Sequence, residues 1–300
     1  MRVLVTGGSG FIGAWIARRL KAKGAHIRVL DLKDDRRVAR EIMGAAADAM
    51  EWRTGDIANR DTVAAAAEGM DLIIHLAAVL TPACQTDPIR GAEINLMGSL
   101  NVFEAARKHG IKRVLYMSSA GVFGPDDGVT PRPTTHYGAF KLAMEGSARA
   151  YAIDHGIASI GYRPLVVYGP GRETGLTAGP TLACKAAARG ENYVIPFTGE
   201  TDFVWVDDVA AAYDAAASTP FEGARVYNIV GEVQTAETFA TALSRAAGVS
   251  ITANGPLLPV AARLEPGTLL QDFPGLKITG IADGIAATLA HYRGQPNRSS

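Results

Sequence analysis

Two cysteines in 300 residues, Cys84 and Cys184, are too few and too far apart for a disulfide framework or a thiolate metal site. They lie outside any CxxC spacing and read as two buried thiols in a reducing compartment. No run of His, Cys, Asp or Glu has metal-ligand spacing, so no metal is expected. An excess of charge is missing too: 30 Lys and Arg are matched by 30 Asp and Glu. That balance gives no reason to expect nucleic acid or an anionic membrane surface as a partner. No apolar run reaches membrane-spanning length, and a strand beginning at residue 2 leaves no room for a signal peptide. The expectation is a soluble, cytoplasmic protein without internal repeats. What is present excludes disorder: 48% hydrophobic residues and 33 glycines suit a packed enzyme with many turns.

The stretch that organises the chain is Arg2 to Thr6 followed by Gly7-Gly8-Ser9-Gly10-Phe11-Ile12-Gly13. A β-rich run feeds a helix through three spaced glycines. Gly7 permits a tight turn, Gly10 lets backbone approach a pyrophosphate, and Gly13 lets helix and strand pack closely. The helix N-terminus then offers free N–H groups and a positive dipole end to phosphates. His26 to Asp31 reads as the second strand, ending in an acid eighteen residues after Gly13. A carboxylate there accepts both hydroxyls of an adenosine ribose and repels a 2′-phosphate, so Asp31 favours NAD over NADP. Arg36 and Arg37, in a polar run with Asp34 and Asp35, either soften that preference or form a solvated loop.

Strands and helices alternate through residue 168, which predicts an α/β fold: a Rossmann-like, doubly wound parallel sheet with right-handed crossovers. A smaller C-terminal substrate lobe completes it. Residues 1–170 and about 201–231 are assigned to the NAD-binding domain, and 171–200 with 232–300 to the lobe, with a frayed tail from Gly294 to Ser300. Asp56 and Ile57, after the third strand, can bond the adenine amine and cover its ring; Asp56 can equally cap the helix beginning near Asn59. The fourth strand ends in Leu76-Ala77-Ala78, small enough for backbone to lie against a dinucleotide, while His75 within it reads as a core histidine. Residues 79–90, carrying Thr81, Pro82 and Pro88, are expected to be a polar loop walling the site. A long helix is expected from Gly91 to His109, and another from Thr134 to His155.

Tyr137 and Lys141 are the sharpest pair. Four residues apart on a helix, they share one face. A tyrosine normally loses its proton near pH 10. A nearby ammonium and the charge of an oxidised nicotinamide lower that value, and Lys141 can also bond the nicotinamide ribose. Ser119, leaving the C-terminal end of the fifth strand with Ala120 beside it, can hold the substrate oxygen near Tyr137. Together the three make a hydride-transfer site in which Tyr137 takes or returns the hydroxyl proton.

In these motifs the chain resembles an extended short-chain dehydrogenase/reductase of the NAD-dependent epimerase/dehydratase family. The matching pieces are Thr6 to Gly13, Gly55-Asp56-Ile57, His75 to Ala78, Asn95 to Gly98 and Ser118 to Gly124. Tyr137 to Lys141, Tyr162-Arg163-Pro164 through Val167 to Gly171, and Phe203 to Val209 continue the series. The resemblance implies that Ser119, Tyr137 and Lys141 are the catalytic triad. It also implies cofactor contacts from Phe11, Ile12, Asp31, Asp56, Ile57, Asn95, Tyr162, Pro164 and Val167, and a homodimer through the helices near 91–109 and 134–155.

Substrate choice is read from departures. Sugar-nucleotide members usually carry an arginine before the strand matching Phe203, whereas this chain has Gly199-Glu200-Thr201-Asp202. Two acids there would repel a diphosphate. Arg172 either clamps a carboxylate or phosphate or pairs with Glu173, and Thr174 and Thr177 are weaker candidates for hydroxyl recognition. The expected activity is an NAD-dependent oxidation or reduction of a small sugar, polyol or hydroxy acid; the alternative is an epimerase or dehydratase.

Overall fold

The computed structural model describes residues 1–294; the expected tail beyond Gly294 lies outside the described residues. The chain opens with β1 (Arg2–Thr6), α1 (Phe11–Ala22), β2 (His26–Asp31), α2 (Arg37–Met43), β3 (Glu51–Thr54), α3 (Arg60–Ala67) and β4 (Leu72–His75). It continues through α4 (Thr81–Thr86), α5 (Pro88–Ala92), α6 (Gly98–His109), β5 (Arg113–Met117), α7 (His136–His155), β6 (Ala158–Arg163) and β7 (Val166–Tyr168). The remainder comprises α8 (Gly179–Ala188), β8 (Tyr193–Ile195), β9 (Glu200–Trp205), α9 (Val206–Ser218) and β10 (Ala224–Asn228). After it come β11 (Glu232–Thr235), α10 (Ala236–Ala247), β12 (Ile251–Ala253), α11 (Leu269–Asp272) and α12 (Ile281–Arg293).

Seven strands form one sheet in the order β10-β6-β5-β4-β1-β2-β3, every neighbouring pair parallel. Such a sheet is covered on both faces, which explains strands written as unbroken apolar runs: Val3, Leu4 and Val5 are all fully buried. Helices α1, α2 and α9 cover one face through Trp15, Ile16, Leu20 and Val209. On the other lie α3, α6 and α7 with Val63, Val102, Phe103 and Met144. Strand order reverses between β1 and β4, which opens a crevice at their C-terminal ends, the usual ligand position in such sheets. The glycine turn, His75–Ala78 and Ser119 all leave the sheet on that edge.

Three elements differ from the sequence reading. Residues 79–90 are not a loop but hold α4 and the start of α5. Pro82 and Pro88 stand in the first turn of each helix, where a missing N–H costs nothing. From Pro88 the chain stays helical to His109, with a π-helical turn at Glu93–Met97 that carries Asn95. Helix α3 is capped not by Asp56 but by Asn59, whose side chain accepts from Thr62 N. Beyond β7, a second sheet joins β9 to β7 in parallel and to β11 antiparallel, and packs on a cluster of Tyr168, Phe203, Trp205 and Phe239. β8 and β12 form a separate parallel pair.

Candidate active site

The turn after β1 is shaped as a cradle. Gly7 takes φ +71°, and a Cβ there would stand 2.6 Å from Ala77 N. A Cβ at Gly13 would meet Gly8 Cα at 2.7 Å, so α1 lies closer to the turn than any side chain permits. Gly10 faces open space apart from Gly7 O, and no side chain caps α1. The helix N-terminus beside Phe11, Ile12 and Gly13 is thus bare of competing acceptors, as a bound pyrophosphate requires. Asp31 accepts from Ser9 N at 3.1 Å and Ser9 Oγ at 2.5 Å, which ties the tip of β2 to the turn. Ser9 escaped the glycine pattern because only its position across from Asp31 gives it a role. The two arginines after β2 are occupied: Arg36 pairs with Asp34 and Asp48, Arg37 with Asp35 and Glu173. These features fit the dinucleotide that the turn implies.

Elsewhere the cofactor candidates divide. Ile57 is buried against α6, at the place where Gly98 comes within a Cβ's reach of it. Asp56 accepts from Ala58 N and pairs with Arg90. The Asn95 amide accepts from Val79 N and donates to Val79 O and Cys84 Sγ, so its polar atoms bind the loop after β4. Tyr162 points away from the crevice, and its hydroxyl donates to Ala212 O in a core cluster with Tyr213 and Tyr227. Pro164 O accepts from Ala120 N, and Val167 O accepts from Arg172. His75 sits between Thr6 Oγ1 at 2.7 Å and Ser99 Oγ at 2.9 Å; burial pushes its pKa down to about 3, so it is a neutral core group.

Ser119, Tyr137 and Lys141 converge. A Cβ at Gly121 would stand 3.3 Å from Ser119 Oγ and 3.8 Å from the Tyr137 ring, so the turn after β5 and the start of α7 bring both side chains to Gly121. Thr135 caps α7 by accepting from Gly138 N, setting the helix to start just ahead of Tyr137. Burial pushes the Tyr137 phenol up to about 12; a hydrogen bond with Ser119 and the charge of Arg172 pull the other way. Lys141 is buried, its ammonium donates to Met117 O at 2.7 Å, and burial lowers its pKa to about 8. It stands 5.6 Å over the Tyr137 ring. Arg172 is thus a second cation near the phenol, beside the Lys141 expected from the sequence.

Arg172 does not form the ion pair with Glu173 that was one of its two readings. Its guanidinium donates to Val167 O and, at 2.7 Å, to Thr177 Oγ1, and no acid pairs with it among the described residues. Glu173 turns outward to Arg37 and Lys185. Burial lowers Arg172 to about 10, which leaves it cationic at neutrality. A cavity of about 150 Å³ joins Arg172 and Thr177 to Ser119, Tyr137, Thr81 and Thr135. Leu80, Leu165, Leu176 and Leu258 to Val260 complete its wall. These apolar walls carry no motif and were missed; Thr174 is exposed and outside the cavity, and Ala120 is buried behind Ser119. A second, outer cavity of about 670 Å³ shares Thr81, Pro82, Thr135, Leu176 and Pro259 and has no arginine or lysine in its lining.

The two acids before Phe203 do not act as the sequence suggests. Glu200 is paired with Arg263 at 2.6 Å, and Asp202 is fully buried in the second sheet, accepting from Gly231 N. Neither presents a free charge to a substrate. Burial pushes Asp202 up to about 7, so the folded chain holds a proton that the unfolded chain releases near pH 4. That contribution to stability is full below about pH 4 and lost as pH rises through about 7. Asp202→Asn, which keeps the acceptor for Gly231 N, is expected to raise the unfolding free energy at pH 8 by on the order of 3 kcal/mol. Denaturant titrations should show the gap closing at pH 4; equal gaps at both values would overturn this account.

Cys84 and Cys184 are free and buried. Among the described residues no acidic or imidazole cluster could hold a metal, and no helix is long and apolar enough to cross a membrane.

A profile of the NAD dependent epimerase/dehydratase family matches residues 3–230. The chain is 31% identical over 261 residues to a UDP-glucose 4-epimerase of Mycolicibacterium smegmatis, covering 83% of both. It is 32% identical over 169 residues to a uronate dehydrogenase of Pseudomonas putida, 54% of this chain and 59% of that one. The structure superposes on Thermus thermophilus UDP-glucose 4-epimerase in complex with NAD with a TM-score of 0.84 at 29% identity, over 98% and 99% of the two chains.

Proposed function

The chain belongs to the NAD-dependent epimerase/dehydratase family, and from that premise we propose that it moves hydride between NAD and a secondary alcohol or ketone of a small sugar, polyol or hydroxy acid bearing an anionic group. NAD, when bound, supplies the hydride acceptor. Tyr137 takes the alcohol proton or returns it, Ser119 holds the substrate oxygen, and Lys141 and Asp31 orient the cofactor's two riboses. The observation that carries the reading is Arg172, a cation without an acid partner in the cavity that holds Ser119 and Tyr137. The outer cavity supports it further, because it offers a diphosphate no arginine or lysine. In this reading residues 1–170 and about 201–231 carry NAD, 171–200 and 232–294 close over the substrate, and α6 and α7 join two protomers.

A second reading, a sugar epimerase in which hydride leaves and returns to one molecule, is favoured by the 31% identity to the mycobacterial enzyme over 83% of each chain. The two readings differ in whether reduced cofactor accumulates. The purified chain is expected to form NADH steadily from a panel of anionic secondary alcohols, with NADP a poorer acceptor because of Asp31. Sugar isomers formed without net NADH would replace the first reading by the second, and a preference for NADP would remove the role given to Asp31.

A further inference from the structure

We infer that Thr135 is a specificity-determining residue of this site, its hydroxyl donating to a second oxygen of the substrate beside the one that reacts. The preferred substrate is then an acid with more than one hydroxyl. The inference rests on the reading of Tyr137 and Arg172 given above and narrows it from small anionic alcohols at large to polyhydroxy acids.

Thr135 Oγ1 is held in place by the fold. It accepts from Gly138 N at 3.0 Å as the cap of α7, two residues ahead of Tyr137. A hydroxyl also carries one O–H donor, and among the described residues no protein acceptor takes the one on Thr135. Thr135 lines the inner cavity together with Ser119 and Tyr137, so that donor is left for a ligand whose reacting oxygen lies on those two. Thr177 repeats the arrangement with a different use. Its oxygen accepts from Arg172 Nη2 at 2.7 Å, and because a guanidinium only donates, the Thr177 O–H remains for the anion that Arg172 binds. Thr81, on the same wall, has no protein partner for its hydroxyl among the described residues.

Size sets no bar to such a substrate. The inner cavity of about 150 Å³ shares Thr81, Pro82, Thr135, Leu176 and Pro259 with the outer one of about 670 Å³. A chain too long for the first continues into the second, past Gln85, Thr134 and His136, which can hydrogen-bond further hydroxyls. Thr135 stands where the two cavities meet. A methylene placed against it would displace water from the fixed donor and offer no acceptor in return. A site built this way rejects the analogue that lacks the hydroxyl. The reaction itself balances without Thr135: the carbinol C–H bond breaks, its hydrogen and two electrons reduce NAD, and the O–H proton goes to Tyr137. The second hydroxyl leaves unchanged on the keto acid.

The test compares 2,3,4-trihydroxybutanoate with 3-hydroxybutanoate on the full chain. NADH formation is one readout, and calorimetric binding of the two acids to NAD-loaded Tyr137→Phe protein, which does not turn them over, is the other. The trihydroxy acid is expected to exceed 3-hydroxybutanoate by at least tenfold in kcat/KM and in affinity. Thr135→Ser should keep that ratio, and Thr135→Val should bring it to within about threefold. Thr135→Val also loses the helix cap and should melt lower, but a ratio taken within one variant does not depend on how much of it is folded. A ratio that survives Thr135→Val would overturn the role given to Thr135. If 3-hydroxybutanoate is the better substrate, in a manner lost with Tyr137→Phe, this inference fails and the wider reading stands. Isomerisation of UDP-glucose without net NADH removes the wider reading as well, and absence of both turnover and binding with the trihydroxy acid overturns the inference outright.

Discussion

Replacing Tyr137 by phenylalanine is expected to lower turnover by about 10²–10⁴-fold while NAD affinity stays within a few-fold. The phenol lies beside Ser119 and inside the inner cavity, so its hydroxyl is the group placed to take a proton from a substrate held there. Burial sets that hydroxyl at about 12, far from the working pH, and only the bond with Ser119 and the Arg172 charge reduce the penalty. Alcohol oxidation should therefore speed up as pH rises through neutrality, because a growing fraction of Tyr137 is ready to accept the proton. The residual rate of the variant should be flat over the same range. Paired pH–rate profiles, with NAD binding followed by fluorescence, check both halves. A Tyr137→Phe enzyme that keeps the rising profile would show that another group moves the proton.

Much of this site was legible because local geometry dictates the residue type. Only glycine tolerates φ +71° with Ala77 N 2.6 Å from its missing Cβ, so Gly7 signals its own environment. Tyr137 and Lys141 are legible for the same reason: a spacing of four on a helix fixes their shared face. The parallel sheet was readable from apolar runs such as Leu72–His75, which make sense only between two helical layers. The rest depended on partners remote in sequence. Nothing in Arg172-Glu173 says that the glutamate turns to Arg37 and Lys185 and leaves the arginine to the cavity. Leu165, Leu258 and Val260 look like any core residue until the fold brings the segment after β12 over Tyr137. The acids at Glu200 and Asp202 misled because charge was counted without burial or pairing; Arg263 and the second sheet cancel what they suggested. Prolines read as loop markers at Pro82 and Pro88 were instead helix starts.

Truncating Glu145 is expected to destabilise the fold by about 3–5 kcal/mol and to disturb catalysis without touching any reacting atom. Its carboxylate is 3% exposed, accepts from Arg163 Nε at 2.7 Å, and is also paired with Arg163 Nη2 and Ser118 Oγ. One side chain thus binds α7, one turn beyond Lys141, to the ends of β5 and β6, and β5 leads directly into Ser119. Glu145→Ala would leave the Arg163 guanidinium, with 15% of its side chain exposed, facing no opposite charge. A fall on the order of 10 °C in melting temperature should follow. The electrostatic effect has a defined sign as well. Glu145 supports the charged form of Lys141 against burial, so its removal should lower the lysine further below about 8. The alkaline limb of activity should then move to lower pH in Glu145→Gln, a variant that keeps the volume and one acceptor. The double variant Glu145→Leu with Arg163→Met replaces both charges by apolar volume and should recover most of the stability, since a buried pair and its apolar replacement are often near balance. Recovery of stability without recovery of the pH profile would identify Glu145 as a positioning residue for Lys141. An alanine variant that melts with the wild type would remove the network from the account of both stability and catalysis.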